Sequence, residues 1–303
     1  MPVRQLRRLG ATIGDSVFDQ MESSTLNSLY WRPYIDAVER DHPELIVRDG
    51  PNILMAASHG AVMLFYGFEN ERVMVDRFPA MFEKLLPRLR RVLGSGGVRL
   101  RLGYAPARPL VEPMLKQLWF RPSRDWMEFS LPRSAKLAAS PAPRGVRFRD
   151  GGLDDVTELV RIDRGAFPDT PILADAMRAR LEAEDSVIVA MSGEEVAGFC
   201  TFSMPEAGAV AWINTLAVAE AHRGRGIGAA LTVRAAKRLF AAGAPDVGLT
   251  TNDGNGPAIR LYVRLGFKQT RAGRDYTRPT DPREIKAMKV AGEGTLIRFG
   301  GWR

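Results

Sequence analysis

Apolar residues recur at four-residue intervals through Ile227, Leu231, Ala235 and Leu239, while Arg234, Lys237 and Arg238 fall on the other faces. That period predicts a helix with one side on a sheet. A short apolar run, Ile213-Asn214-Thr215-Leu216-Ala217-Val218, precedes it, and a second, Val247-Gly248-Leu249-Thr250-Thr251-Asn252, follows it. Both read as strands. Gly243 and Pro245 stop the helix between them, and Pro257 fits the first turn of another helix that ends at Gly266-Phe267. Upstream, the pattern predicts a strand at 146–149, helices over about 153–166 and 172–183, and strands at 186–191 and 196–204 that flank the hairpin signal Gly193-Glu194. A longer strand, 209–218, then leads to the helix at 227.

The first half carries a fainter version of the same order. Strands are expected at 44–48, 53–57 and 61–66, a helix over about 79–93, and a strand in the alternating Val98-Arg99-Leu100-Arg101-Leu102. A helix within 107–118, then Trp119-Phe120 and the alternating Trp126-Met127-Glu128-Phe129, close the series. Met114 to Phe120 falls where Leu261 to Phe267 falls, with Leu115 in the place of Tyr262. Between the halves, residues 131–145 are small and proline-rich without a sustained period, which suits an exposed linker. The expected layout is a first domain over 1–131, a linker over 132–145, a second domain over 146–278 and a tail over 279–303. The fold class is α/β, with a mixed, mostly antiparallel sheet and flanking helices in each domain.

Composition narrows the possibilities. The chain has 303 residues, 45% of them hydrophobic, enough for two sizeable cores. No apolar run approaches the roughly 20 residues that span a bilayer, and the basic N-terminus has no apolar stretch behind it, so a cytoplasmic protein without a membrane partner is expected. Cys200 is the one cysteine; it sits in an apolar strand and reads as a core thiol. The net charge of +8 is spread over both halves rather than gathered in a basic patch with aromatics, which argues against a nucleic-acid partner.

The chemistry concentrates between the strand at 213–218 and the helix that starts near Ile227, in Arg223-Gly224-Arg225-Gly226-Ile227-Gly228. Glycines let a backbone approach a ligand closely, and the free N–H groups of a helix start favour a pyrophosphate. Two arginines at the positive end of a helix are unfavourable unless an anion is present. The loop has neither the G-x-G-x-x-G spacing of a dinucleotide fingerprint nor the G-K-[ST] ending of a Walker loop.

With Asn255-Gly256-Pro257-Ala258-Ile259-Arg260-Leu261-Tyr262-Val263-Arg264-Leu265-Gly266-Phe267 following, the pattern R/Q-x-x-G-x-G/A and then N-x-x-A-x-x-x-Y-x-x-x-G-F resembles the GNAT superfamily of acyl-CoA N-acyltransferases. The first half resembles a degenerate GNAT-like domain, because Glu69-Asn70-Glu71-Arg72-Val73 is acidic and has no glycine. The resemblance implies acetyl-CoA as cosubstrate and no metal. It implies that the backbone of Leu216, Ala217 and Val218 bonds pantetheine like an added strand, that Arg223, Gly224, Arg225, Gly226, Ile227 and Gly228 hold the pyrophosphate, and that Asn255 contacts the cofactor. It makes Tyr262 the proton donor to the leaving thiolate.

The acceptor side is less defined. Many family members carry a glutamate on the strand before the loop, where this chain has Trp212, Ile213, Asn214 and Thr215. Asn214 could position a water; Glu220 and His222 read as base or surface, Asp169 as amine contact or turn residue, and Trp212, Met204 and Thr251 as acceptor pocket or core. The implied reaction is acetyl transfer to a primary amine of a small molecule or peptide by direct attack on the thioester. Two alternatives stand beside it: a non-catalytic acyl-CoA-binding regulatory module, and a tandem acetyltransferase that resembles mycothiol synthase in its arrangement.

Overall fold

A computed structural model of the chain describes residues 16–28, 32–58, 62–93, 97–103, 108–168, 171–182, 185–203 and 211–291. In chain order the elements begin with α1 (Val17–Ser23), β1 (Leu26–Asn27), α2 (Arg32–Asp41), β2 (Ile46–Asp49), β3 (Asn52–Ser58), β4 (Val62–Phe68), α3 (Glu71–Leu93), β5 (Gly97–Gly103), α4 (Val111–Gln117) and β6 (Arg121–Pro132). They continue with β7 (Val146–Asp150), α5 (Val156–Ala166), α6 (Ala174–Glu182), β8 (Asp185–Ser192), β9 (Glu195–Ser203), β10 (Ala211–Val218), α7 (Ile227–Ala241), β11 (Asp246–Asn252), α8 (Gly256–Leu265), β12 (Lys268–Pro279) and α9 (Pro282–Ala291). Two compact units result. Unit 1 takes the chain up to Arg124 and again from Gly273, and unit 2 takes Asp125 to Ala272.

In unit 1, β2, β3 and β4 are antiparallel neighbours. β4 then runs parallel to β5 over Val62, Leu64 and the residue between them, and β5 pairs antiparallel with the Gly273 to Pro279 part of β12. Unit 2 repeats the plan. β7, β8, β9 and β10 are antiparallel neighbours, β10 is parallel to β11 over Ala211, Trp212 and Ile213, and β11 pairs antiparallel with β6 from Trp126 to Pro132. The last strand of each unit thus comes from the other half of the sequence.

The repeat extends to the helix ends. Phe120 N–H donates to Leu115 O at 2.9 Å and Phe267 N–H to Tyr262 O at 3.0 Å, so both helices end in the same left-handed turn. The turn residue is Trp119 (φ 68°) in unit 1 and Gly266 (φ 103°) in unit 2. Glycine is required only at the second, where an added Cβ would stand 2.7 Å from Lys136 O.

Each core forms where an element's apolar face meets the sheet. In unit 1, Met74, Phe78, Phe82, Leu85 and Leu89 of α3 pack with Phe68, Leu115 and Phe120, while Val17 and Met21 of α1 and Ile35 and Val38 of α2 cover Ile53, Met55 and Phe65. In unit 2, Leu231, Ala235 and Leu239 of α7 pack with Ile188, Ala190 and Cys200. Val156, Leu159 and Ile162 of α5, with Met177 of α6, close over Val187, Val189 and Phe199.

Some local expectations change. The helix expected from Pro79 begins two turns earlier, at Glu71, with Pro79 and Pro87 inside it. Asn70 Oδ1 accepts from Val73 N–H at 3.0 Å and caps the start, and the buried stripe from Met74 to Leu89 outweighs the bonds the prolines lose. Residues 43–45 form a 3-10 turn rather than strand. After α8 comes one long strand, β12, and the stretch expected as a tail begins with a helix, α9. The proline-rich stretch after β6 lies against unit 2: Arg133 N–H donates to Pro245 O at 2.8 Å, Ala138 N–H donates to Leu265 O at 3.1 Å, and Leu137 packs on the core.

Candidate functional site

The site is built where β10 parts from β11. Parallel pairing stops at Ile213, and the register with β9 shifts between Ile213 and Thr215, which makes Asn214 a bulge. Beyond it, Leu216, Ala217 and Val218 pair with β9 alone among the described strands. In an antiparallel ladder alternate residues turn their N–H and C=O to the same neighbour. Ala219 N–H donates to Ala197 O at 2.9 Å, so Ala217 also faces β9, and the backbone groups of Leu216 and Val218 face the opening.

The chain then passes through a 3-10 turn, Glu220–His222, into the glycine loop. Gly224 and Gly226 take φ of 75° and 81°, a region that favours glycine. Gly226 is the N-cap of α7, with no side-chain cap and no acidic residue in the first turn. The first N–H groups of α7, those of Ile227, Gly228 and Ala229, are therefore presented at a positive helix end. The side chain of Ile227 is core. Gly228 is different: an added Cβ would meet Leu261, Val218 and Leu216 only at 3.7–3.9 Å, ordinary contact distances, so packing alone does not exclude a methyl group there. Its bare backbone leaves space between α7 and the open edge of β10.

The arginines are engaged differently from one another. Arg223 Nε donates to Val218 O at 3.1 Å and its NH2 donates to Gly165 O at 3.3 Å, tying the end of β10 to the end of α5. Arg225 is exposed, with NH1 2.9 Å from His222 Nδ1, and His222 Nε2 lies 3.5 Å from Glu195 Oε2. Both loop arginines are exposed, and Arg225 is the one not bonded to the carbonyls of Val218 and Gly165.

Asn255 caps α8, its Oδ1 accepting from Ala258 N–H at 3.3 Å, which leaves the amide nitrogen as its remaining donor. Tyr262, on the inner face of α8, has its ring between Phe129 and Phe267, each 6.0 Å away between centroids. Burial and the nearby Cys200 sulfur hold its phenol well above the ordinary range. The hydroxyl keeps its proton, as a donor must. Cys200 is fully buried, and burial likewise pushes its thiol up, away from thiolate chemistry.

On the acceptor side, Asn214 is exposed and its Nδ2 donates to Ser203 Oγ. The ring of Trp212 lies over Gly248, where an added Cβ would be 3.1 Å from it, and Thr251 is half-buried. Glu220 is exposed. Asp169 and Met204 lie outside the described residues. Asp163 Oδ2 accepts from Ile172 N–H at 2.7 Å and so secures the connection between α5 and α6 that carries Asp169. Phe129 joins this site through the pairing of β6 with β11, which the alternation of residues 126–129 does not specify.

A model of the Acetyltransferase (GNAT) family matches residues 153–267, from the turn before α5 to Phe267. An N-alpha-acetyltransferase of Sulfurisphaera tokodaii is 32% identical over 154 residues, which is 46% of this chain and 91% of that protein. The chain belongs to the GNAT family. A relative named Mycothiol acetyltransferase, from a Nocardioides species, is 28% identical over 197 residues, 57% of this chain and 67% of that protein. A tandem GNAT protein from the clavulanic acid biosynthesis pathway has the same fold at a TM-score of 0.65 and 14% identity, over 88% of this chain and 94% of that one. The two units are therefore tandem GNAT folds, and the GNAT match contains the loop, Asn255 and Tyr262. Among the described residues no helix is long and apolar enough to cross a membrane.

Proposed function

We propose that unit 2 is an acetyl-CoA-dependent N-acetyltransferase acting on a primary amine of a small molecule or peptide. The observation that carries this reading is the edge of β10 at the backbone of Leu216 and the N–H of Val218, which pairs with no described strand besides β9, beside the uncapped start of α7. An extended amide-bearing chain fits such an edge as an added strand, and a pyrophosphate fits the helix start. Leu216 and Val218 would hold the pantetheine arm; the N–H groups of Ile227, Gly228 and Ala229 would hold the phosphates, with Gly224 and Gly226 shaping the turn. Arg225 supplies the mobile positive charge, and Arg223 fixes the loop to β10 and α5. Acetyl-CoA, when bound, supplies an acetyl thioester to the acceptor nitrogen.

The chain's own groups then serve the two proton movements. A bond forms from the amine nitrogen to the acetyl carbon, the carbon–sulfur bond breaks, and Tyr262 gives its proton to the departing thiolate and regains one from solvent. The amine proton leaves to solvent, with Asn214 placed to hold a water, since β10 carries no carboxylate. A mycothiol-synthase-like tandem acetyltransferase is the second reading, supported by the tandem fold and by the relative of that name. Acetyl-CoA consumption measured as free thiol, across peptide α-amines and small-molecule amines, tests the proposal: turnover with at least one amine is expected, whereas tight CoA binding without turnover on any would favour a binding module.

A further inference from the structure

Unit 1 repeats the splayed strand pair but not the opening. Among the described residues β4 runs parallel to β5 from Val62 to Leu64, as β10 does with β11 from Ala211 to Ile213. Counting from those last pairs, and allowing for the bulge at Asn214, Tyr66 takes the place of Leu216 and Phe68 that of Val218. The antiparallel partners agree, because Gly67 faces Ile53 of β3 as Ala217 faces Phe199 of β9. The backbone groups of Tyr66 and Phe68 thus point to the side that unit 2 leaves open.

In unit 1 that side is occupied by the chain itself. β1 pairs with β4 through Leu26 opposite Phe68 and Asn27 opposite Gly67. Ser28 N–H donates to Tyr66 O at 2.9 Å, and Tyr66 N–H donates to Ser28 Oγ at 2.7 Å. Leu26 is buried in the core with Phe68 and Met74. The helix start beside this edge is closed as well, because Asn70 caps α3 and Glu71 places a carboxylate in its first turn. An anion would meet like charge there.

We propose that residues 26–28 are a built-in occupant of unit 1, lying on β4 where unit 2 receives an extended ligand on β10, so that the chain carries one acyl-CoA site and one self-filled edge. Among the described residues two strand residues and one serine make this contact, so the occupied edge is the kind of short pairing that opens locally without unfolding the unit. Once vacated, the edge would take an uncharged pantetheine-like chain but not the phosphates of CoA, which Glu71 repels. The proposal shares with the function above the idea of an edge-bound ligand, yet it is read out in unit 1 alone.

Hydrogen exchange on the full chain tests it, with Ser28→Ala and Ser28→Pro as variants and free pantetheine as the probe. In the parent, the Ser28 and Tyr66 amides should exchange slowly and be unmoved by millimolar pantetheine, and calorimetry should count one acetyl-CoA per chain. Ser28→Ala should speed Tyr66 exchange by about tenfold or more while the α3 amides stay protected. Ser28→Pro, which also removes the donor to Tyr66 O, should speed it further and let pantetheine restore the protection. Fast Tyr66 exchange in the parent, pantetheine protecting Tyr66 there, or two acetyl-CoA per chain would each overturn the proposal. Loss of acetyl-CoA binding in unit 2 alone would leave the Tyr66 result intact and count against the function instead.

Discussion

Phe129 and Tyr262 lie with ring centroids 6.0 Å apart and planes inclined by 50°, although 133 positions separate them (262 − 129). Phe129 is on β6, which pairs with β11 and completes the sheet of unit 2. The candidate proton donor is therefore held by a strand that precedes the family-matched stretch. Phe129→Ala should cost about 3–5 kcal/mol, the usual range for a buried aromatic truncated to alanine, read as a lower denaturant midpoint. A fragment of residues 146–303, which lacks β6, should fail to bind acetyl-CoA, whereas residues 125–272 should bind it. Equal binding by both fragments would show that β6 is dispensable to the site.

Gly266 makes a second, purely structural demand. Its φ of 103° and the 2.7 Å approach of Lys136 O to a built Cβ leave no room for a side chain. Gly266→Ala should therefore destabilise unit 2 by roughly 2 kcal/mol or more, from left-handed strain plus displacement of the 136 backbone. Thermal melts with and without acetyl-CoA check it, and a melting temperature within a degree or so of the parent would contradict it. Trp119→Gly, at the matching turn of unit 1, should be far milder.

What the sequence makes legible is what local patterns determine. The strand, glycine loop and helix from Ile213 to Leu239 follow from period and φ preference, and Asn255, Pro257 and Gly266 mark the ends of α8 by capping chemistry. The parting of β10 from β11 depends on which strands pair over how many residues, and nothing in Trp212 to Val218 states that. Pro79 conceals the first two turns of α3, because the stripe of Met74, Phe78 and Phe82 is rewarded only once packed on the sheet. The segment 26–28 is too short for any periodicity. Arg223 reads as a phosphate ligand from its neighbours, and only the folded loop shows its Nε and NH2 donating to the carbonyls of Val218 and Gly165.

The junction between β7 and α5 carries a pH signature. Arg149 donates to both oxygens of Asp155 at 2.9 and 2.6 Å, and Gly152 N–H adds a third bond at 3.0 Å, holding that carboxyl below the usual carboxylate range. A folded-state pKa below the unfolded value of about 3.9 gives stability that is present above that pH and lost as pH falls through the folded value. Asp155→Asn should flatten the decline in melting temperature as the pH falls below about 4. Near neutral pH it should cost about 1 kcal/mol, a figure kept small because Arg149 is nearly half exposed. An unchanged acid limb would remove the pair from the stability account.

Tyr262→Phe tests the central claim most directly, because it deletes one hydroxyl and keeps the ring between Phe129 and Phe267. With the best amine, kcat should fall by roughly 10²-fold, within the general-acid range, while the Kd for acetyl-CoA and the melting temperature stay near those of the parent. Since burial holds the phenol above its ordinary pKa of about 10, the parent's kcat should show no alkaline loss attributable to Tyr262 below that pH. A variant that turns over within about twofold of the parent, or a parent alkaline limb near pH 8 that the substitution abolishes, would contradict the assignment of Tyr262 as the buried proton donor.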